Sequence, residues 1–267
     1  MRVLLTNDDG IEAEGLQALR RALTELPSVQ LAVIAPDGNR SAMARSITTR
    51  RPLWVEEIEF GDGTVGYATD GTPVDCVRLA SLGLIAGWEP ELIVAGINHG
   101  SNIGDDITYS GTVAAALEGV ILGIPGIAVS QQSSGLELDF RKPDAFDFTA
   151  AAAFTARLVE DLAAVPLPLG TLLNVNFPGC EPEGISVARL GRRFYHDKLE
   201  VVEEEPPHRR RYRVYGEGAE GPPDETDTDV SAIIARRVAI TPLHFDLTYH
   251  DGVAALAAHD LERLLKR

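Results

Sequence analysis

The sequence predicts an α/β fold: a doubly wound, Rossmann-like, mostly parallel sheet with a C-terminal β-hairpin arm and a terminal helix. Three observations carry this expectation. Short apolar runs recur at residues 3–5, 31–35, 92–95, 127–130 and 172–175; they lack the polar alternation of strands that face water on one side, so each reads as a strand covered on both faces. Helical patterns fall between and after them, near 13–26, 72–84, 111–122 and 144–164, and that alternation builds a parallel sheet with helices on both sides. After about residue 190 the character changes, which divides the chain into a core at 1–190 and an extension at 191–267 made of a hairpin arm, a returning strand and a final helix.

Each element has a local reason. The first strand stops at Asn7-Asp8-Asp9-Gly10, where two adjacent carboxylates meet a turn signal before a helical pattern begins near Ile11. Ligands of an open parallel sheet collect beyond the carboxyl ends of its strands. Two anions at that edge repel, which raises the pKa of one or the other unless a cation lies between them, and hard divalent ions prefer such oxygen ligands. Asn and Asp also cap ordinary turns, which is the competing reading of the same four residues. The second strand leads into Pro36-Asp37-Gly38-Asn39-Arg40-Ser41, and the third into Gly96-Ile97-Asn98-His99-Gly100-Ser101-Asn102. Several polar loops at one sheet edge point to a built site. Thr72-Pro73 is a helix start, with a capping hydroxyl before proline at the first helical position. Tyr109-Ser110-Gly111-Thr112 opens another helix, and its free N–H groups and two hydroxyls at the positive end of the dipole form an anion site. Ordinary capping by Ser110 would use the same residues without a ligand.

Acidic side chains outnumber basic ones over 197–229, with Pro206-Pro207 and Pro222-Pro223 as breaks. Tyr212 and Val214 alternate with charged neighbours at period two, as in an antiparallel ribbon. Such a hairpin is marginal alone, which predicts contact with another subunit and a homodimer or homotetramer. Residues 251–267 read as one helix with Val253, Leu256, Ala257, Leu261, Leu264 and Leu265 on a single face.

Composition removes several function classes. The 267 residues carry a formal net charge of −16 and a sequence pI of about 4.7, which argues against general nucleic-acid binding. A bound cation reverses the local field, so small phosphorylated substrates remain compatible. No run approaches the ~18 apolar residues of a membrane span, and too few apolar residues follow Arg2 for a secretory leader, which predicts a cytoplasmic protein. Cys76 and Cys180 match no zinc spacing and are expected to be reduced, buried thiols. Gly61-Asp62-Gly63-Thr64-Val65-Gly66 fits the dinucleotide fingerprint, but strand-like residues follow it, so a hairpin turn is expected there. His99 and His244 form no ligand pair and read first as structural histidines. Gly-x-Ser-x-Gly is missing, which argues against serine hydrolases of that type.

Taken in order, Asn7-Asp8-Asp9-Gly10, Ala35-Pro36-Asp37 through Asn39-Arg40-Ser41, Gly71-Thr72-Pro73, Gly96-Ile97-Asn98, Tyr109-Ser110-Gly111-Thr112-Val113-Ala114-Ala115-Ala116 and Ile240-Thr241-Pro242-Leu243 resemble the motifs of the SurE (survival protein E) family across about 1–250. The resemblance implies a divalent-metal-dependent phosphomonoesterase, releasing phosphate from nucleoside 5′- and 3′-monophosphates. It implies one divalent cation per subunit, Mg²⁺ or Mn²⁺, held by Asp8, Asp9, Ser41 and Asn98. With that reading Asp8, Asp9 and Asn39 are the candidate catalytic residues, and Asn39, Ser110, Gly111 and Thr112 the candidate phosphate ligands. The nucleophile is either water or Asp8. Gly38, His99 and Ala42-Met43-Ala44 stand where the family varies. Two rivals are a non-catalytic nucleotide-binding module, which has little use for the carboxylate pair, and a haloacid-dehalogenase-like phosphatase, which requires Asp-x-Asp rather than Asp-Asp-Gly.

Overall fold

The computed structural model describes residues 1–138, 145–195, 198–205, 207–214, 219–220 and 225–265. Its elements run β1 (Arg2–Thr6), α1 (Glu14–Thr24), β2 (Gln30–Pro36), β3 (Val55–Glu59), β4 (Val65–Thr69), α2 (Pro73–Ser81), β5 (Leu92–His99), α3 (Gly111–Ile121), β6 (Gly126–Gln131), α4 (Thr149–Glu160), β7 (Thr171–Phe177), β8 (Ile185–Val187), β9 (Phe194–Tyr195), β10 (Glu200–Glu205), β11 (Arg209–Arg213), β12 (Ala219–Glu220), α5 (Asp229–Ile234), β13 (Val238–His244) and α6 (His250–Ala257). Among the described residues nine strands form one sheet in the order β3-β4-β2-β1-β5-β6-β7-β13-β8. Strands β4 through β7 are parallel to their neighbours, while β3 and β13 join antiparallel to β4 and β7.

Within β1, successive side chains enter different cores. Val3 and Leu5 join Val33, Val94 and Val129 beneath α1 and α4, whereas Leu4 joins Ile34, Ile93 and Ala128 beneath α2 and α3. A strand apolar at every position is therefore what a sheet covered on both faces requires, and each fully buried leucine contributes about 2 kcal/mol. The helix starts agree with their sequences. Thr72 caps α2 reciprocally with Asp75, ahead of Pro73, and Ser110 Oγ accepts the Val113 N–H to cap α3. The glycine-rich segment at 61–66 makes the tight turn between β3 and β4 and the first two residues of β4, with Phe60 N–H donating to Thr64 O at 2.8 Å.

In the extension, β10 and β11 pair as the expected ribbon, Glu200, Glu203, Glu204 and Glu205 facing Arg213, Arg211, Arg210 and Arg209. Pro206, Asp197 and the Pro222-Pro223 break lie outside the described residues. The chain then returns through α5 and β13. Asp229, buried at the start of α5, accepts from Gly104 N–H at 2.9 Å and Gly191 N–H at 2.8 Å. This fastens the extension to the loop after β5.

Two expectations need correction. The single helix expected over 251–267 is broken: α6 ends at Ala257, and a separate 3-10 turn covers Leu261–Leu265. Its apolar side chains are exposed, Leu256 at 60% and Leu264 at 75%. Among the described residues no surface covers the stripe, and so short a helix gains little from propensity alone. Of the two thiols, Cys76 is buried but Cys180 is only half-buried.

The segment after β2 is tied down at several points. Thr48 N–H donates to Asp75 Oδ1 at 3.0 Å, and Thr72 Oγ donates to Ser46 O at 2.8 Å. Arg45 reaches Glu118 on α3, a side chain with no exposure, which also pairs with Arg78 on α2 at 2.6 Å. Replacing both Arg45 and Arg78 by Met would strand a buried carboxylate. That double variant is expected to lose on the order of 3 kcal/mol, and adding Glu118→Gln should recover part of the loss. Urea unfolding of the three proteins checks this.

Candidate functional site

Strand β1 has β2 on one side and β5 on the other, and the chain winds outward from it in both directions. The carboxyl ends of β1 and β5 are thus the topological switch point, where a crevice opens. The turn after β1 is closed by Asn7, whose Nδ2 donates to Gly10 O at 2.8 Å and whose Oδ1 accepts from Gly10 N–H at 3.2 Å. Gly10 has φ +110°, a region glycine tolerates without cost. Because Asn7 does the capping, the two carboxylates are free to reach sideways.

Asp8 is 3% exposed. It accepts from Thr112 Oγ at 2.6 Å and from Gly111 N–H at 3.1 Å. The anion at the start of α3 is therefore the chain's own carboxylate. A Cβ at Gly111 would lie 2.8 Å from Asp8 Cβ, so this contact requires glycine. Asp9 turns the other way and accepts from the His99 backbone N–H at 3.1 Å, with His99 Nδ1 at 2.8 Å. The His99 ring meets Phe146 and Phe148 edge-on, centroids 5.0 and 4.9 Å away, and those two rings stack on each other. Asn39 Nδ2 lies 3.5 Å from Asp9 Oδ1, and Asn39 Oδ1 accepts from Ser41 N–H at 2.9 Å. Asn98 donates through Nδ2 to Gly100 O at 2.7 Å, while its Oδ1 lies 3.4 Å from Thr112 Oγ.

A cavity of about 140 Å³ opens here, with Asp8, Ser41, Asn98, Ser101, Tyr109 and Ser110 among its walls. The structure thus brings Asp8, Ser41, Asn98 and Ser110 onto one space. Asp9, Asn39, Gly111 and Thr112 stand behind that surface and touch it through hydrogen bonds to Asp8, His99 and Ser41. For Thr112, which has no exposure, the hydroxyl expected to meet phosphate is committed to Asp8.

Burial first, and then the charge of Asp9, push Asp8 up to about 6, against the opposing hydrogen bonds from Thr112 and Gly111. Burial works against a charged His99 ring, but the hydrogen bond and charge of Asp9 outweigh it and pull His99 upward. These are the electrostatics of a site short of positive charge. The donor set, two carboxylates, an amide and a hydroxyl, is all oxygen and suits a hard divalent cation. Among the described residues there is no group of three or more His, Cys, Asp or Glu side chains that could hold a metal.

Several supporting residues escape sequence reasoning. Asn174 and Asn176 donate to Asn102 O at 2.8 and 3.0 Å, and Asn176 Oδ1 accepts from Asn102 N–H at 2.8 Å. They fix the loop that carries Ser101. Their signal was two amides inside the apolar run of β7, Leu172-Leu173-Asn174-Val175-Asn176. Asp106, held by Arg193 and Tyr195, forms another part of the wall. Its partners are far away in sequence and leave no local pattern. His244, in β13, accepts from Asp246 N–H at 3.1 Å and is not part of this cavity.

Comparison with known proteins places these features in a family context. Residues 3–197 match the family model described as survival protein SurE. A protein of Rubrobacter xylanophilus named 5'-nucleotidase SurE is 50% identical over the whole of both chains. One of the same name from Chloroflexus aggregans is 46% identical over 98% of this chain and 100% of its own. The crystal structure of the SurE protein from Aquifex aeolicus superimposes with a TM-score of 0.77 at 34% identity, covering 96% of this chain and 98% of that one.

The raised pKa of Asp8 has a definite sign. A native carboxyl that titrates at about 6 rather than 3.8 binds more protons than the unfolded chain between those values, so the contribution of Asp8 to stability is fully present below pH 4 and is lost as pH rises through 6. In chelator the loss is expected to reach about 3 kcal/mol. Asp8→Asn should flatten the profile, since the Thr112 hydroxyl can turn to accept from the new amide. Denaturant titrations across pH 4 to 7, in the presence of chelator, measure both.

Proposed function

Since this chain belongs to the SurE family, we propose that the cavity between β1 and β5 is the centre of a nucleotidase that hydrolyses nucleoside 5′-monophosphates, and 3′-monophosphates, to nucleoside and phosphate. The observation that carries the reading is the convergence of Asp8, Ser41, Asn98 and Ser110 on one cavity at the switch point, with Asp9 behind it. In the reaction the ester P–O bond breaks, water supplies the new P–O bond, and its protons pass to phosphate and to the nucleoside hydroxyl.

A divalent cation, for which Mg²⁺ or Mn²⁺ is the choice, would be held by Asp8, Asp9, Ser41 and Asn98, and would supply positive charge to the phosphoryl oxygens. The chain's own groups do the rest. Gly111 N–H and Thr112 Oγ hold Asp8 in one orientation, and His99 holds Asp9. Ser110 Oγ accepts from its own helix, which leaves its O–H to donate to a phosphoryl oxygen. Asn39 offers a second donor from the facing loop. Such fixed donors need no reorganisation as charge develops, which is how a preorganised site lowers a barrier. A binding module without catalysis would leave the buried Asp8–Asp9 repulsion without a use.

The exposed β10–β11 ribbon supports a further part of the reading, assembly into a dimer or tetramer. Both of its faces are charged and all of its described residues are exposed, so only a partner could cover it.

Two measurements test this. Phosphate release from nucleoside monophosphates should require a divalent cation and be lost in chelator, and Asp8→Asn and Asp9→Asn should each reduce it at least a hundredfold while the circular dichroism is unchanged. Near-normal turnover in either variant removes these residues from the site. By light scattering, the intact protein should be a dimer or tetramer, and replacing 198–214 by a short Gly-Ser linker should lower the mass by at least a factor of two.

A further inference from the structure

We infer that Tyr109 is the platform on which the nucleobase of the substrate stacks, so that the enzyme reads the base through its flat face at the mouth of the cavity. The inference rests on the nucleotidase reading above and adds the residue that separates nucleotides from other phosphate esters.

Size sets the problem. A cavity of about 140 Å³ is well below the roughly 300 Å³ at which pockets begin to enclose whole small molecules. It accommodates a phosphoryl group and part of a sugar. With the phosphate directed to Asp8, Ser41, Asn98 and Ser110, the base must emerge at the rim. Tyr109 is the one carbon-ring aromatic in the wall, and it is 62% exposed. The other ring there, His99, is engaged by Asp9 and by two phenylalanines.

The backbone of Tyr109 is fixed at both ends of the residue. Its N–H donates to Asp106 O at 2.9 Å, and its carbonyl accepts from Ala44 N–H at 3.1 Å. Ser110, the next residue, is locked as the cap of α3. The ring, by contrast, makes no contact with another aromatic ring, and its hydroxyl has no hydrogen-bond partner, among the described residues. An anchored backbone carrying an uncovered ring beside a phosphate site is suited to stacking, which costs little ordering entropy on a two-torsion side chain. The bond to Ala44 also brings the loop after β2 alongside, and Ala42 of that loop lines the same cavity. Stacking of this kind tolerates every base, since each has a π-face.

The test compares a substrate with a base against one without. For the wild type and for Tyr109→Phe, Tyr109→Leu and Tyr109→Ala, kcat/KM is measured for adenosine 5′-monophosphate and for ribose 5-phosphate with saturating Mn²⁺. The quantity of interest is the ratio of the two constants. Tyr109→Phe is expected to keep it, while Tyr109→Leu and Tyr109→Ala lower it on the order of tenfold, through KM for the nucleotide. A ratio unchanged in the Leu and Ala variants, or reduced equally in Phe, overturns the platform while leaving the nucleotidase reading intact. A wild type that releases phosphate from neither compound, or only from ribose 5-phosphate, overturns both. Circular dichroism of each variant confirms folding, and the Leu variant keeps the bulk if Ala perturbs the loop.

Discussion

The geometry of the site depends on one buried contact, the carboxylate of Asp8 seated on the first turn of α3. Gly111 N–H and Thr112 Oγ receive it, and the absent side chain of Gly111 makes the approach possible. A strand end and a helix start on opposite sides of a loop are thereby locked to each other. Everything else in the crevice is placed relative to that lock. Arg40 N–H donates to the Asp8 carbonyl at 2.6 Å, which brings the Asn39–Ser41 loop across the opening. Asn98 shares the Thr112 hydroxyl, and Asp9, the next residue, is turned towards His99. A helix N-terminus stabilises a negative charge by up to ~2 kcal/mol in partly buried geometry, yet burial and the adjacent charge of Asp9 still prevail, and Asp8 titrates high. The remaining deficit is electrostatic, and a cation is the simplest group that fills it.

Around this lock the protein is built in tiers of decreasing firmness. The strands that carry Asp8 and Asn98 are buried on both faces. The loops that close the crevice are less covered but tied by charge: Arg45 and Arg78 to Glu118 for one, Asp229 to Gly104 and Gly191 for another. Ala42 and Ala44 in the first of these hold φ of 59° and 52°, a left-handed conformation that alanine adopts at a cost near 1 kcal/mol. Such strain persists where surroundings over-determine the backbone, and here those surroundings include the Ala44–Tyr109 hydrogen bond. Precision at the rim is thus obtained at some cost in local stability.

Much of this was legible before the structure. The parallel sheet announced itself because a strand covered on both sides is apolar along its centre, as residues 3–5, 31–35, 92–95 and 127–129 are. The helix starts at Thr72 and Ser110 were legible because capping is a property of three or four consecutive residues. Adjacent carboxylates at the end of β1 flagged the crevice by the same local logic. What could not be read were the contacts that join distant segments. Thr112 looked like an anion ligand from its position on the helix, and only the approach of β1 shows that its hydroxyl serves a carboxylate of the same chain. Asn174 and Asn176 find their use only in Asn102, more than seventy residues away in sequence. The stripe at 251–267 had the period of a helix, but period alone cannot supply the surface that would hold it together.

The ribbon of β10 and β11 carries its negative charges on one strand and its positive charges on the other, with both faces of the hairpin uncovered within the single chain. Exposed ion pairs of this type contribute little individually and are screened as ionic strength rises, and the apolar side chains among them, Val201, Val202 and Tyr212, are themselves exposed. The sheet below is held by burial, which salt does not weaken in this way. One chain therefore joins a sheet whose strands are held by burial to a hairpin held by exposed charge pairs, and of the two only the hairpin is expected to loosen as salt rises.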